Sequence, residues 1–236
     1  MLKQLVRRVD KRADVADITT DTAAPAWTPW ALHLLGSRVI PSFVFTLLGV
    51  LTLLAVGQDE SVAQLLFHVA SALMWGMFLV LVNIRPAPLR RGRAPIGVIA
   101  ALSAQFAFIA VGALATDSAG GSRVWIADIL LLGGLAFSIV SVLALGRCFG
   151  VLPDVRGLVT RGPYRIVRHP LYLGELVSAF GLVIGASRPG LAGAAWIACV
   201  AVQVVRTRYE EAGLRAEFPE YDEYAEHTRR LIPGVV

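Results

Sequence analysis

The chain has 236 residues, of which 56% are hydrophobic and only 17% are charged. Soluble domains carry about 25% charged residues, and disordered chains are polar, so both classes are excluded. The net charge is +5, which could suggest a nucleic-acid partner. The basic residues instead flank long apolar segments, and this distribution argues against binding of nucleic acid. The two cysteines, Cys148 and Cys199, have no metal-ligand spacing, and we expect no bound metal. The composition predicts a membrane protein.

Six apolar segments are long enough, or nearly so, to cross a bilayer as helices. A helix needs about 20 apolar residues to span a hydrocarbon core roughly 30 Å thick. Four segments meet this length, and the last two have 17 residues each: 39–57, 61–84, 94–116, 124–146, 171–187 and 189–205. The predicted fold class is all-α, a polytopic transmembrane helical bundle with about six spans.

The last two segments are separated only by Arg188 and a Pro-Gly turn signal, which predicts a tight antiparallel helical hairpin. Small residues four apart let two helices approach closely in lipid. Such pairs are Gly181 and Gly185 in the first helix, and Ala194 and Ala198 in the second. We therefore expect these two faces to pack on each other, and a looser bundle is the alternative.

The basic residues are distributed unevenly between the two sides of the predicted bundle. Twenty of the 22 lie before the first segment, after the second, between the fourth and fifth, or after the sixth. The other two, Arg123 and Arg188, lie on the opposite side. The positive-inside rule therefore predicts an integral protein of the inner or plasma membrane with both termini in the cytoplasm.

The same pattern divides the chain into three parts. Residues 1–38 form a basic cytoplasmic segment, in which the spacing of Leu2, Leu5, Val6 and Val9 predicts a short interfacial helix. A disordered basic tail is the alternative. Residues 39–146 hold four transmembrane helices, and residues 147–236 hold a motif loop, the helical hairpin and a C-terminal helix.

The first candidate site lies before the fifth helix, where Gly162 to Glu175 reads GPYRIVRHPLYLGE. Pro170 is suited to start a helix because its missing N–H is harmless there. Arg168 and His169 then lie at the helix N-terminus, where free backbone N–H groups favour an anion. Glu175 lies about one turn deeper, where an ionised side chain is costly and usually functional.

The second candidate site follows the sixth helix, in residues 206–236. Arg206 and Glu210 stand four residues apart and can pair if that helix continues past the membrane. The adjacent acids Glu210 and Glu211 point to different faces, so one of them can turn inward to a cationic or polyhydroxyl ligand.

The charged residues of both segments also have simpler explanations. Arg156 and Arg161 are explained as positive-inside anchors of the bundle. A solvated helix face explains the remaining acids of the second segment, which are Glu217, Glu220, Asp222, Glu223 and Glu226.

The motifs GPYRIVRHPLYLG, EEAGL, FPEYDEY and RRLIP, in this order, resemble the isoprenylcysteine carboxyl methyltransferase family of integral-membrane enzymes. Related phospholipid N-methyltransferases share the paired glutamates. The resemblance covers the part of the chain from the motif loop onward, and the first four spans match only as hydrophobic helices.

The resemblance implies that residues 147–236 are a methyltransferase core with a cytoplasmic cofactor pocket for S-adenosylmethionine and no Rossmann domain. The donor site it implies consists of Gly162, Tyr164, His169, Tyr172 and Gly174, with Glu210 and Glu211 on the ribose hydroxyls or the ammonium group. It also implies that Arg168 and Arg230 face the acceptor, so that Arg168, Arg230 and Glu211 form the predicted catalytic set.

The expected acceptor is lipophilic and enters from the membrane lipids, and the carboxylate of an isoprenoid-like compound or a lipid is our first expectation. A carboxylate needs no base, because methyl transfer from a sulfonium depends mainly on holding donor and acceptor in line. An amine or phenol acceptor would need one, and His169 or a glutamate is then the candidate.

Two other functions are compatible with these residues. Membrane reductases of the sterol-reductase type also carry an RHP-x-Y-x-G-E stretch and use NADPH, although they usually have Asn where this chain has Leu171. A non-catalytic membrane scaffold, in which the motifs only stabilise the hairpin, is the second.

Overall fold

The computed structural model of the chain describes residues 37–57, 61–92, 94–114 and 123–231. Seven α-helices lie in these ranges: α1 Val39–Leu54, α2 Val62–Ile84, α3 Pro95–Leu114, α4 Val124–Leu145, α5 Pro170–Gly185, α6 Pro189–Glu217 and α7 Tyr221–His227. The same ranges contain no strand, and the predicted all-α fold class is confirmed. The predicted interfacial helix of the N-terminal segment lies outside the described residues.

Several of these helices have the length and surface of membrane spans. Three are long and apolar enough to cross a bilayer, namely α2, α4 extended to Cys148, and α6, while α1, α5 and Pro95–Ala104 are shorter apolar helices. Large apolar side chains point outward, as at Leu54 and Val62, which are both 75% exposed. Lipid rather than water is the solvent that suits such a surface. The chain is therefore a polytopic membrane bundle, and its count of six spans and its orientation stay predictions.

Local sequence signals explain where several helices begin. At α2, Ser61 Oγ accepts a hydrogen bond from Gln64 N at 3.2 Å, while Ser61 N donates to Gln64 Oε1 at 2.8 Å. This reciprocal pair is a capping box, which satisfies two otherwise unpaired backbone donors. Pro170 and Pro189 stand at the first position of α5 and α6, where proline costs no hydrogen bond.

The closest helix contact is between α4 and α5, and it depends on glycine. A Cβ placed on Gly181 would lie 2.7 Å from Ala127 O, and one on Gly174 would lie 2.7 Å from Gly134 O. Ser178 Oγ also donates to Leu131 O across the contact, at 2.7 Å. Small residues thus bring the two backbones together, as is common between helices in lipid.

The predicted hairpin partner of this small-residue face was wrong. Gly181 and Gly185 pack against α4, where a Cβ on Gly185 would lie 3.2 Å from the Cβ of Ala127. The helices α5 and α6 are joined by a short connection and do contact each other, but through larger side chains: Trp196 Nε1 donates to Leu176 O at 2.9 Å. Sequence spacing identifies a close-packing face but does not say which neighbour it meets.

An aromatic cluster packs the first two helices against the loop that follows α4. Phe78 of α2 stacks on Phe149 with ring centroids 4.6 Å apart, and Phe45 of α1 lies 5.4 Å from Phe78. All three are buried. Stacked aromatic rings contribute stability beyond their buried area. The cluster fixes residues 146–152, which lead into the candidate site.

Gly134→Leu is expected to destabilise the bundle, because any Cβ at Gly134 collides with the backbone of Ser178 and Gly174. Overpacking of this kind costs about 1–3 kcal/mol. Gly133→Leu is the matched control, since a Cβ on Gly133 meets nothing within 4 Å. Thermal unfolding of both variants in detergent measures the effect, and equal melting temperatures would show that the α4–α5 contact is not as close as described.

Candidate functional site

The RHP corner, residues 168–170, is set by a tight turn and a helix start. Gly162–Arg165 forms a 3-10 turn, and Gly162 has φ of 60°, a left-handed conformation that favours glycine. The predicted helix start at Pro170 is confirmed, and His169 is its N-cap residue. Only 6% of His169 is exposed, so the corner is buried rather than solvated.

The C-terminal segment, residues 228–231, lies alongside the RHP corner. Arg168 N donates to Arg229 O at 2.7 Å, and His169 N donates to Arg230 O at 3.1 Å. These backbone bonds join the RHP and RRLIP motifs, which are far apart in sequence. The two predicted sites are therefore parts of one site.

Glu211, on α6, is fully buried and accepts hydrogen bonds from cationic side chains at both carboxylate oxygens. Arg230 binds it in two places, with Nε to Oε1 and NH2 to Oε2, each at 2.9 Å. Arg168 Nε donates to Oε1 at 2.9 Å, and Arg215 NH2 donates to Oε2 at 3.3 Å. His169 Nε2 lies 3.3 Å from Oε1. One carboxylate thus joins α6, the RHP corner and the C-terminal segment.

The electrostatics of Glu211 follow from these partners. Burial by itself raises the pKa of a carboxyl, but the hydrogen bonds and charges of His169 and Arg230 lower the pKa of Glu211 well below its usual range. The carboxylate is therefore ionised over the whole physiological pH range. The guanidinium groups around it would otherwise repel one another at short distance.

Glu210 has different surroundings from its neighbour. Its Oε1 accepts hydrogen bonds from Tyr172 OH at 2.7 Å and from Arg206 Nε at 3.0 Å. Its Oε2 accepts none from the described part of the chain and lies 3.7 Å from His169 Nδ1. The guanidinium of Arg206 also lies over the Tyr172 ring, 4.5 Å from its centroid. Glu210 is thus held on one side and open on the other.

A third segment, the loop that follows α2, also contributes to the site. Val155 N donates to Arg90 O at 2.9 Å, and Gly92 N donates to Asp154 Oδ1 at 3.2 Å. The sequence assigned this loop only a positive-inside role. Its pairing with residues 151–157 closes one wall of the site, and no short-range sequence signal indicates that pairing.

A single cavity lies between these segments. Its volume is about 100 Å³, and it is open on one side. Its walls come from the loop 148–159, the RHP corner, α6 and α7. The residues of the predicted site that line it are Tyr164, Arg168, His169, Tyr172 and Glu210.

The remaining predicted site residues lie around the cavity rather than on its wall. Gly162 forms the turn described above, and Gly174 belongs to the α4–α5 contact. Glu211 and Arg230 lie behind the wall and are bound to each other. Glu175 lies on α5, where its Oε2 accepts a hydrogen bond from Gln203 Nε2 at 3.0 Å.

The sequence missed several residues that the fold brings to this cavity. Arg156, interpreted as an anchor, is buried and lines the wall. Tyr221 and Tyr224 of the FPEYDEY motif line it as well, and Tyr224 OH donates to Tyr164 O at 2.6 Å. The two tyrosines are three residues apart, so a shared helix face was the available signal for them.

Comparison with known proteins identifies related sequences in this part of the chain. Residues 122–220 match the family model described as phospholipid methyltransferase. Isoprenylcysteine methylation appears in the name of one relative, "Protein-S-isoprenylcysteine O-methyltransferase A" of Arabidopsis thaliana. It is 31% identical over 120 residues, which are 47% of this chain and 61% of that protein.

Two further relatives carry names that refer to metal resistance. "Cobalt-zinc-cadmium resistance protein CzcN" of Cupriavidus metallidurans is 38% identical over 119 residues, covering 46% of this chain and 51% of that protein. "Nickel-cobalt-cadmium resistance protein NccN" of Alcaligenes xylosoxydans xylosoxydans is 32% identical over 126 residues, covering 51% and 58%. The described residues of this chain contain no group of three or more His, Cys, Asp or Glu placed to hold a metal ion.

The chain covers only about half to three fifths of the length of these relatives. The matched residues nevertheless include α4, α5, α6 and the RHP corner, which carry the site. These matches confirm the resemblance drawn from the motifs: residues 122–220 match the phospholipid methyltransferase family model, and the chain is similar to an isoprenylcysteine O-methyltransferase.

Proposed function

We propose that this chain is an S-adenosylmethionine-dependent membrane methyltransferase that acts on a lipophilic acceptor at the membrane–cytoplasm interface. The observation that supports it best is the meeting of the RHP corner and the two glutamates. Tyr172 and His169 of the first motif contact Glu210 and Glu211 of the second, beside one cavity. Two motifs that were separate in sequence thus form one binding site.

The residues of the cavity fit the chemical groups of this donor. Glu210 presents one carboxylate oxygen, Oε2, which has no hydrogen-bond partner among the described residues and can accept hydrogen bonds from ribose hydroxyls or from an ammonium group. The aromatic rings of Tyr164, Tyr221 and Tyr224 can contact a flat base or a cationic sulfonium. We therefore assign the donor to this cavity, with Glu210 as its principal anionic contact.

When bound, S-adenosylmethionine supplies a methyl group on a positively charged sulfur. The chain contributes by holding its own groups in place: Tyr172 and Arg206 fix the orientation of Glu210, while the buried carboxylate of Glu211 fixes Arg168 and His169. Preorganised groups of this kind lower the barrier by positioning the reactants rather than by exchanging protons.

The structure allows different roles to be proposed for the three residues of the predicted catalytic set, Arg168, Arg230 and Glu211. Arg168 lines the cavity, so we keep it as the residue that faces the acceptor. Arg230 and Glu211 pair with each other behind the wall, so we assign them a positioning role. The Nε and NH2 groups of Arg168 donate to Glu211, and its NH1 group donates to the carbonyls of Ala225 and Thr228. Arg168 therefore attracts a carboxylate acceptor by its charge rather than through an unused donor.

An apolar groove supports a lipophilic acceptor. It lies between α2 and α4, encloses about 720 Å³, and is lined by side chains such as Leu73, Met77 and Leu143. Its end at Gly146 adjoins Leu145, which lines the donor cavity. We propose that the hydrocarbon chain of an isoprenoid-like or lipid acceptor lies in this groove, with its carboxylate toward the cavity.

The proposal predicts that the purified full chain binds S-adenosylhomocysteine and does not bind NADPH. The first carries the nucleoside and amino-acid ends of the donor, whereas the second is the cofactor of the alternative, a sterol-reductase type of enzyme. Isothermal titration in detergent micelles measures both. Binding of NADPH without binding of S-adenosylhomocysteine would favour the reductase, and binding of neither would favour a scaffold.

Glu210→Gln is expected to weaken binding of S-adenosylhomocysteine by about tenfold or more, because a neutral amide loses the charge-assisted contact. Gln can still accept hydrogen bonds from Tyr172 and Arg206, but buried Arg206 loses the charge of its partner, so the melting temperature is measured beside the affinity and the comparison uses folded protein. Glu226→Gln is the matched control on the exposed face of α7. Equal affinities of the Glu210 and Glu226 variants would refute the role of Glu210.

Glu211→Gln is expected to act on stability. At neutral pH it should cost about 3–5 kcal/mol, because it leaves buried guanidinium groups without their counter-ion. The pKa of Glu211 is lowered in the folded state, so its stabilisation is present above the unfolded pKa of about 4.3 and is lost as the pH falls below it. The melting temperatures of wild type and variant should therefore differ widely at neutral pH and converge on acidification. Similar values at neutral pH would contradict this role.

A further inference from the structure

Arg156 is a buried arginine whose guanidinium is only partly hydrogen-bonded. Only 1% of its side chain is exposed, and its NH2 group pairs with Asp154 Oδ2 at 2.9 Å. Its Nε and NH1 atoms are buried and have no hydrogen-bond partner among the described residues. Since NH1 alone carries two N–H donors, most of this guanidinium is unsatisfied. Buried donors are almost always paired, so an unpaired set suggests a missing partner.

The surroundings of Arg156 leave room for such a partner. Arg156 lines the donor cavity, together with Gly150 and Cys148. A Cβ on Gly150 would lie 2.6 Å from Arg156 NH1, so any side chain at this position would collide with the guanidinium. The glycine therefore gives the guanidinium the room to lie at this wall of the cavity.

The charges near Arg156 specify the sign of that partner. Both carboxylate oxygens of Asp154 already have partners, because Oδ2 accepts a hydrogen bond from Arg156 NH2 and Oδ1 accepts one from Gly92 N. Arg85 is also buried nearby, and burial, followed by the charge of Arg156, lowers the pKa of Arg85 to about 10. A second buried guanidinium therefore lies near that of Arg156, and this side of the cavity favours an anion.

We propose that Arg156 binds the carboxylate of a bound substrate and that Gly150 leaves its guanidinium the room to lie at the cavity wall. The inference rests on the proposed function, in which two molecules bring a carboxylate to this cavity: the amino-acid end of the donor, and the acceptor. Arginine suits this task because its guanidinium stays charged when buried and presents several donors in a fixed plane. Arg156 is then a binding residue, and the sequence-based interpretation as an anchor is replaced.

The test compares probes that differ by the carboxylate, on the full chain in detergent micelles. S-adenosylhomocysteine is paired with 5′-methylthioadenosine, which keeps the nucleoside and the thioether but lacks the amino-acid end. N-acetyl-S-farnesylcysteine is paired with its methyl ester, in which the carboxylate is masked. Each probe is titrated by calorimetry into wild type, Arg156→Lys and, as a matched control, Arg161→Lys at an exposed position of the same loop.

Arg156→Lys is expected to weaken binding of one carboxylate probe by about tenfold or more and to leave its carboxylate-free partner unchanged. A selective loss for S-adenosylhomocysteine identifies the donor carboxylate as the ligand, and a selective loss for the farnesyl acid identifies the acceptor. Arg161→Lys should change neither. Unchanged affinity for both acids, or equal losses within a pair, overturns the inference.

A second variant covers the case in which Arg156→Lys does not fold. Gly150→Ala keeps the Arg156–Asp154 ion pair but places a methyl group against NH1, and the same selective loss is expected. This design distinguishes a failure of the carboxylate inference from a failure of the proposed methyltransferase function. If wild type binds S-adenosylhomocysteine and neither variant alters binding of an acid, only the carboxylate inference fails. If wild type binds neither acid, both proposals are overturned.

Discussion

The buried carboxylate of Glu211 is the interaction on which the rest of the site depends. An ionised group with no solvent exposure is stable only when its oxygens are paired, and here arginines and a histidine from three chain segments pair with them. The guanidinium groups need the carboxylate equally, because without it they would lie close together as like charges. This mutual requirement fixes α6, the RHP corner and the C-terminal segment relative to one another.

The adjacent glutamates illustrate how one helix can separate two tasks. Successive residues on a helix point in directions about 100° apart, so Glu210 reaches the cavity while Glu211 points into the cluster of cationic groups. Glu210 keeps an open oxygen beside aromatic rings, whereas both oxygens of Glu211 are bound. In the proposed function, the paired acids thus combine a ligand contact with the structural support that holds it. This division fits a reaction that depends on positioning more than on proton transfer.

The membrane bundle holds this site at one of its ends. Glycines in α4 and α5 bring their backbones into close contact, and the motif loop between these helices is thereby held in place. The proposed function needs a place where a water-soluble donor and a lipid-soluble acceptor can meet. Leu145 lines the polar cavity and the next residue, Gly146, lines the apolar groove, which is compatible with such a meeting.

Much of this protein was determined by local sequence alone. Hydropathy predicted the helices, because a backbone in lipid must satisfy its own hydrogen bonds, and Pro170 predicted the start of α5. The family resemblance carried by the RHP and EE motifs implied that both contribute to one site. Only the tertiary structure decided which helix meets the glycines of α5, which of Glu210 and Glu211 is open to the cavity, and that Arg156 is buried with unpaired donors. These facts depend on contacts between segments distant in sequence, and neither residue type nor spacing encodes the partner that a side chain will meet.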